Sequence, residues 1–473
     1  MLGLFGTLEM ARQSLQVAQH GVQLAGHNLA NAANPAYARQ RLQIETSETI
    51  PSPIGAEGTG AQVTGYHQIR DQIVDRSIIF ESSISSYLQE KERSLTQMET
   101  YLGQTIDRQS SANSSGTVGS STGGQYGLAE GMAEFFNTFQ SLSVSPSSTA
   151  DRQVAMLKAR QLADKFKDLD SRLLTLKSRL NEEVSAQAEE VNKLLAQIAE
   201  LSNDIKQSEI GNARANEVRD RRQEKLEALA KLTDIQVTDT ETFNVSVNGV
   251  TFVHASVLID SFKAVADGNG SYQLTSAITG GVIGINSGKL KGILATRDTS
   301  ITSLRSKISL LAQHLITEVN ARHSAGKALD GSTGRAFFTG TDGSNISVNT
   351  ALEDDPRLIQ VSGNGDAGDN TVALNLARLA GEPLAALGNR TFSDHYNVTV
   401  TSFGQELSDV KTRIGDQAVL DQMLTSQRES VSGVSVDDEM THLITFQRAY
   451  QASSRLIGVL DELLLDTIQM GAR

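Results

Sequence analysis

Residues 1–35, MLGLFGTLEMARQSLQVAQHGVQLAGHNLANAANP, are written in sevens. Met1, Leu8, Leu15, Val22 and Leu29 recur at every seventh position, and Leu4, Ala11, Ala18, Ala25 and Ala32 fall three residues later in each repeat. This is the a/d pattern of a helix whose apolar seam packs on another helix, and alanine along one side lets the two backbones approach closely. The seam stops at Asn34-Pro35, because proline lacks a backbone donor and drives its predecessor out of the helical region. So regular a seam predicts a partner helix.

The partner lies at the other end. Val436, Leu443, Tyr450, Ile457 and Leu464 again repeat every seven residues, and Ser435 three residues before Asp438 reads as a capping box that opens the helix. The predicted assembly interface is therefore Leu8, Leu15, Val22 and Leu29 against Val436, Leu443, Tyr450, Ile457 and Leu464.

Between these ends the period changes several times. "RLQIETSETI" and "GAQVTGYHQIRD" alternate as strands do, and a helix is expected from Gln72 to Gln104. Ser110 to Gly124 is almost wholly small and polar and reads as a flexible loop. After a helical stretch around Phe135, Phe136 and Phe139, Ser148 three residues before Asp151 opens a long helix. Its stripe runs Leu162, Phe166, Leu169, Leu173, Leu176, Leu180, Val184, Ala188, Val191, Leu195 and Ile198, in steps of three and four with a stutter at Val184.

Gly211 breaks this helix, and "NEVRDRRQEKLEALAKL" folds back as the second arm of a helical hairpin. The charge run Glu217 to Lys225 is expected to be a solvated face, with Glu217 and Arg221 spaced for an i,i+4 pair. From Ile235 the period becomes two, and Asn248-Gly249 is a hairpin turn signal. Helical periodicity returns over Gly288 to Ser324, 326 to 370 reads as loops and short strands, and Asn375 to Leu387 and Asp394 to Arg428 read as helices. The fold class is mainly α with a β insert, a multidomain α+β chain. The terminal coiled-coil unit comprises 1–35 and 436–473, the helix-rich body 36–232 and 287–435, and the inserted β domain 233–286.

Composition narrows the function. A formal net charge of −13 opposes binding to nucleic acid or anionic membrane, both of which need clustered Lys and Arg. The absence of cysteine removes disulfides, thiolate metal sites and cysteine nucleophiles. No apolar run approaches a membrane span, and the first residues lack the basic segment, apolar core and cleavage site of a secretory signal.

Enzyme signatures are weak. His20 and His27 sit seven residues apart with no metal-ligand spacing around them, and His254, His314, His323, His395 and His442 are scattered singly. "DGNGS" at Asp267 begins like a calcium loop, but its twelfth position is Ile278, and "DGSTG" at Asp330 and "GNGDAGDN" at Gly363 read as turns. Neither a cofactor, a metal nor a catalytic group is expected.

"NLANAANPAYARQRL", from Asn28, resembles the N-terminal signature of the axial proteins of the bacterial flagellum, the rod, hook and hook-associated proteins. The matching residues are Asn28, Leu29, Ala30, Asn31, Asn34, Pro35, Tyr37 and Arg39. "EMTHLITFQRAYQASSRLIGVLDELLLDTI", from Glu439, resembles the family's C-terminal signature, with Gln447, Arg448 and Tyr450 in its core. "VSGVSVDDEM" from Val431, "NEVRDRRQEKLEALAKLTDIQV", "SGKLKGILATRDTSI" and "VNARHSAGKALDGSTGRAFF" are similar to the hook-associated branch, in the same order. The chain departs from that branch in a short connection after Phe338, where longer relatives carry an outer domain, and in Ala33.

The resemblance implies a non-enzymatic structural protein of the flagellar hook-filament junction. It also implies type III export without a cleaved signal peptide, an extracellular location and polymerisation with itself through the terminal helices. The implied partners are the hook protein, the second junction protein and an export chaperone on the C-terminal helix, with no nucleic acid and no membrane. A hook or distal rod protein is the nearest alternative, and an enzyme or a surface adhesin using the β insert the more distant ones.

Overall fold

The computed structural model describes residues 3–52, 55–102, 127–211, 214–239 and 242–471; the polar run Ser110 to Gly124 lies outside them. Helix α1 (Leu4–Ala30) is followed by strands β1 (Gln40–Thr46), β2 (Thr49–Ser52), β3 (Gly55–Gly58) and β4 (Ala61–Gln68). β1 pairs antiparallel with β4, from Gln40 opposite Gln68 to Thr46 opposite Ala61, and β2 pairs with β3. Helices α2 (Gln72–Leu102), α3 (Leu128–Val144), α4 (Thr149–Ser208) and α5 (Asn216–Leu232) come next.

Helix α4 is the spine. Its 60 residues rise about 90 Å, and the Ser148 side chain accepts from the Asp151 N–H at 3.2 Å to start it. Every residue of the stripe from Leu162 to Ile198 is buried, because the partner changes along its length. α3 covers the first turns, short strands and hairpins cover the middle, and α5 folds back on the end.

The β insert holds β5 (Gln236–Asp239), β6 (Phe243–Val247), β7 (Val250–His254) and β8 (Val257–Leu258) in one antiparallel sheet of that order, then the hairpin β9 (Phe262–Ala266) and β10 (Tyr272–Ser276). Asn248 and Gly249 both take positive φ, as a tight two-residue turn requires. Two asparagines on α4 dock the hairpin. Asn192 donates to Phe262 O at 2.8 Å and accepts from Phe262 N–H at 2.7 Å, while Asn181 donates to Gly270 O at 3.2 Å and accepts from Tyr272 N–H at 2.6 Å.

Helices α6 (Gly288–Ala295) and α7 (Ile301–Ser324) are joined by a π-helical turn over Thr296–Ser300. That turn brings the buried Arg297 to Asn181 and Tyr272 O, both at 2.9 Å. Strands β11 (Phe338–Thr339) and β12 (Ser347–Val348), helices α8 (Thr350–Asp354), α9 (Thr371–Arg378) and α10 (Phe392–Ser432), and finally α11 (Val436–Gly471) complete the chain. Phe135, Phe139, Phe337 and Phe338 meet edge to face in the centre of the body.

Two expectations are corrected. The helix expected over Asn375 to Leu387 starts at Thr371 and stops at Arg378, giving way to single turns at Leu379–Gly381 and Ala385–Leu387. Pro383 cannot donate and holds Glu382 extended. The charge run in α5 is also not one solvated face. Asp220 and Arg222 are buried, and Arg222 donates to Asp239 at 2.7 Å with its guanidinium 3.9 Å above the Phe243 ring.

His323, fully buried in α7, is satisfied rather than ligating. Its Nε2 accepts from the Gln360 N–H at 2.9 Å, which makes Nδ1 the protonated nitrogen donating to Arg335 O at 2.8 Å. Burial pushes its pKa down to about 4. The unfolded chain therefore takes up a proton near the ordinary value while the folded one does not, and stability present above about pH 6.5 is lost as pH falls toward 4, by up to about 3 kcal/mol. His323→Gln should flatten this slope, as urea midpoints at about pH 7 and about pH 5 would show; equal slopes for the two proteins would contradict the assignment.

Candidate functional site: the terminal helix pair and its anchor

Helices α1 and α11 run antiparallel: Asn28 meets Glu439, and Gly21 meets Phe446, one heptad further along each helix. A β-carbon on Gly21 would overlap the Phe446 ring, so the ring lies directly on the α1 backbone. The buried face of α1 is Ala11, Ala18, Gly21, Leu24, Ala25 and Asn28. Mostly small residues thus form the inside of the pair.

This places the sequence-derived positions. Leu8, Leu15, Val22 and Leu29 are half-buried at the margin of the seam, as are Leu443, Ile457 and Leu464. Val436 and Tyr450 are exposed, and Leu460 is the most buried apolar residue of α11. Much of the remaining surface of α11 is apolar and uncovered, including Met440, Ile444, Leu456, Val459, Leu463 and Ile468. Of the C-terminal signature, Gln447 and Arg448 are also exposed.

The N-terminal signature builds an anchor. Asn28, 1% exposed, uses its full hydrogen-bonding capacity: Nδ2 donates to Gln40 O at 2.9 Å and Glu439 Oε2 at 3.1 Å, and Oδ1 accepts from Tyr37 OH at 2.7 Å and Gln40 N–H at 3.2 Å. Because the Tyr37 proton points to Asn28, His27 Nδ1, 3.0 Å away, must donate to the phenol oxygen. Asn31 donates to His27 O at 3.0 Å to close α1, and Asn34 Oδ1 accepts from Ala36 N–H at 3.1 Å across Pro35 to turn the chain. Leu29 is half-buried, and Ala30, Asn34 and Pro35 are exposed.

From this turn the extended segment around Arg39 ties five elements together. Arg39 N–H donates to Ser432 O at the end of α10, and Arg39 Nε donates to Glu439 Oε1 at 2.7 Å in the first turn of α11. Gln40 reaches Asn216 at 3.0 Å and Glu217 at 3.4 Å at the start of α5. Asp220, also on α5, accepts from Gln68 Nε2 at 2.6 Å and from Arg70 Nη2 at 2.7 Å, with Ala38 N–H at 3.5 Å.

Burial pushes the Asp220 carboxyl up to about 6, against the lowering by Arg70 and by the Ala38 and Gln68 hydrogen bonds. Burial, with the negative charges of Asp220, Glu217 and Glu439, likewise pushes the Tyr37 phenol up, so it stays a donor.

Sequence reasoning missed Glu439, Gln40, Asp220 and the Gly21–Phe446 contact. Glu439 is one of three acidic residues in the first turn of α11 and nothing local sets it apart. Gly21 did carry a signal, since a glycine inside a heptad helix implies a close approach. Among the described residues no group of His, Asp and Glu could hold a metal ion, and no helix is long and apolar enough to cross a membrane.

The similarities to known proteins point to a structural protein of the flagellar axial class. Residues 118–338 match the model of the flagellar hook-associated protein FlgK helical domain, and 425–470 that of the flagellar basal body rod FlgEFG protein C-terminal region. The flagellar hook-associated protein 1 of Bacillus subtilis (strain 168) is 26% identical over 98% of both chains. Its counterpart in Salmonella typhimurium is 23% identical over 94% of this chain and 96% of that one. The solved structure of the flagellar hook junction protein FlgK from Burkholderia pseudomallei superposes with a TM-score of 0.63 at 14% identity, over 75% of this chain and all of that one, and shows the shared fold. Along nearly its whole length the chain is similar to flagellar hook-associated protein 1, a structural protein of the flagellum and not an enzyme.

Gly21→Ala should displace Phe446 and loosen the pair by about 1–3 kcal/mol, the usual cost of overpacking, with Phe446→Leu in the same chain recovering part of it. Amide exchange along α1 reads this directly, and unchanged rates in Gly21→Ala would contradict the packing. For Asp220, the folded state holds a proton between about pH 4 and pH 6 that the unfolded state releases, so this group contributes stability as pH falls through 6 and loses it above. The native protein should therefore gain in urea midpoint relative to Asp220→Asn between about pH 7 and about pH 5; a constant difference would refute the raised carboxyl.

Proposed function

We propose that this chain is the structural adaptor between the flagellar hook and the filament. The single observation that carries the reading is the terminal pair: two helices packed on one another through a small-residue face, anchored to the body at one end, with apolar faces of α11 left uncovered. Such faces are what neighbouring subunits would cover in a tube of like helices. The terminal unit, residues 1–35 and 436–473, would continue the packing of the hook beneath it. The body and the β insert at 233–286 would present the surface on which the second junction protein stacks.

In this scheme Leu8, Leu15, Val22, Leu29, Val436, Leu443, Tyr450, Ile457 and Leu464 meet either the partner helix or a neighbouring copy. Export would proceed through the flagellar type III channel without a cleaved signal, with a chaperone shielding α11 in the cytoplasm. Isolated terminal helices are marginal in water, so release from the chaperone and ordering in the tube would be coupled.

The test is a strain deleted for the gene. Intact hooks without filaments, with filament subunits lost to the medium, are expected; bare rods would move the role to hook or rod protein, and normal filaments would end the proposal. Complementation with Ile457→Asp should restore export but not filaments, because a carboxylate in the seam costs several kcal/mol, while the melting of the body stays unchanged.

A further inference from the structure

The motif GNGDAGDN from Gly363 forms the loop that leads into helix α9. It holds one of the three Asn-Gly steps in the chain, the others being Asn248-Gly249 and Asn269-Gly270. All three asparagines are exposed. Glycine in the following position has no side chain to keep its nitrogen away from the asparagine side-chain carbonyl, so each step is open to ring closure. Asn248 and Asn269 make no side-chain hydrogen bond among the described residues.

Asn364 differs, because the loop holds each of its reacting groups. Its Oδ1 accepts from Asp366 N–H at 2.8 Å, a bond that folds the side chain back over the intervening Gly365 peptide. Its Nδ2 donates to Asp366 Oδ2 at 2.8 Å. The Gly365 N–H donates to Ser362 Oγ at 2.8 Å, and that hydroxyl lies 3.2 Å from Asn364 Oδ1 and 3.1 Å from Asp369 Oδ2. Hydrogen bonds from Thr371, Asn364 and Gly363 hold the Asp369 carboxyl well below the usual carboxylate range, so it stays charged. A hydroxyl polarised by a carboxylate is the stronger acceptor, and here what it accepts is the Gly365 proton.

We propose that Asn364-Gly365 is a self-modification site: the Gly365 nitrogen closes on Asn364 Cγ, ammonia leaves, and water opens the resulting succinimide to aspartate or isoaspartate. The bond from Cγ to Gly365 N forms and the bond from Cγ to Nδ2 breaks. The Gly365 proton departs by way of Ser362 Oγ, the charge that collects on Oδ1 is met by the Asp366 N–H, and the leaving nitrogen takes a proton from water. Only water is consumed. Either product sets a carboxylate against Asp366 where an amide donated before, and isoaspartate also lengthens the main chain beside Lys327, whose Nζ donates to Asn364 O at 3.1 Å. The loop therefore changes charge and shape with the age of the molecule, whatever the role of the terminal helices.

The test is to incubate the full chain in heavy-oxygen water near neutral pH and to follow all three Asn-Gly steps by peptide mapping and mass spectrometry. Asn364 is expected to lose its amide at least about tenfold faster than Asn248 and Asn269, with heavy oxygen entering its new carboxylate. In urea the three rates should converge, because the loop no longer holds the groups. Ser362→Ala, with an unchanged melting curve, should bring Asn364 down to the rate of the other two, while Ser362→Thr, which keeps the hydroxyl, should retain most of the excess. The proposal is overturned if folded Asn364 reacts no faster than the other two, if its lead persists in urea, or if a folded Ser362→Ala chain reacts at the original rate. The comparison of folded and urea-unfolded chain decides the matter even where Ser362→Ala does not fold.

Discussion

The four hydrogen bonds of Asn28 hold the architecture together. A buried amide with both donors and both acceptor positions occupied specifies one arrangement, since leaving any of them unpaired would cost on the order of 1–3 kcal/mol. Here the partners are a tyrosine from the following turn, the backbone of β1 and a carboxylate 411 residues later, in the first turn of α11. One side chain thereby fixes the end of α1, the start of the first hairpin and the start of α11.

The consequence is mechanical. Arg39 and Glu439 lock the terminal pair to the ends of α10 and α11, and Asp220 with Arg70 and Gln68 locks the same segment to α5. The terminal helices are therefore joined to the body by a bonded cluster as well as by the chain itself. The body answers with a helix of 60 residues whose stripe is buried from end to end, and the two asparagine clamps on that helix join the β insert to it. A structural junction needs such continuity, because load must pass through it.

The resemblance motif gains a physical reading. Its asparagines have separate tasks: Asn28 bonds the helix ends, Asn31 closes α1 and Asn34 shapes the turn across Pro35. Tyr37 and His27 complete the same network. The C-terminal signature differs, since Gln447 and Arg448 lie on exposed positions of α11. The first signature works within the subunit, as do Glu439 and Phe446 of the second, whereas Gln447 and Arg448 face outward.

The sequence by itself determined the heptad seams, the long helix with its stripe, and the β insert and its hairpin turn, all from periodicity and turn chemistry, which are local; the resemblance to the axial family rests instead on the signature residues at the two ends. It could not show that Ala11, Ala18 and Ala25 with Gly21 would lie deepest, with the large seam residues at the margin. That depends on how closely two helices from opposite ends of the chain approach. Nor could it distinguish Glu439 from Asp437 and Asp438, or show that Asp220 and Arg222 in a charged run would be buried. Only the tertiary structure decided these points, because a charge is solvated or buried according to what folds against it, and those partners lie tens to hundreds of residues away.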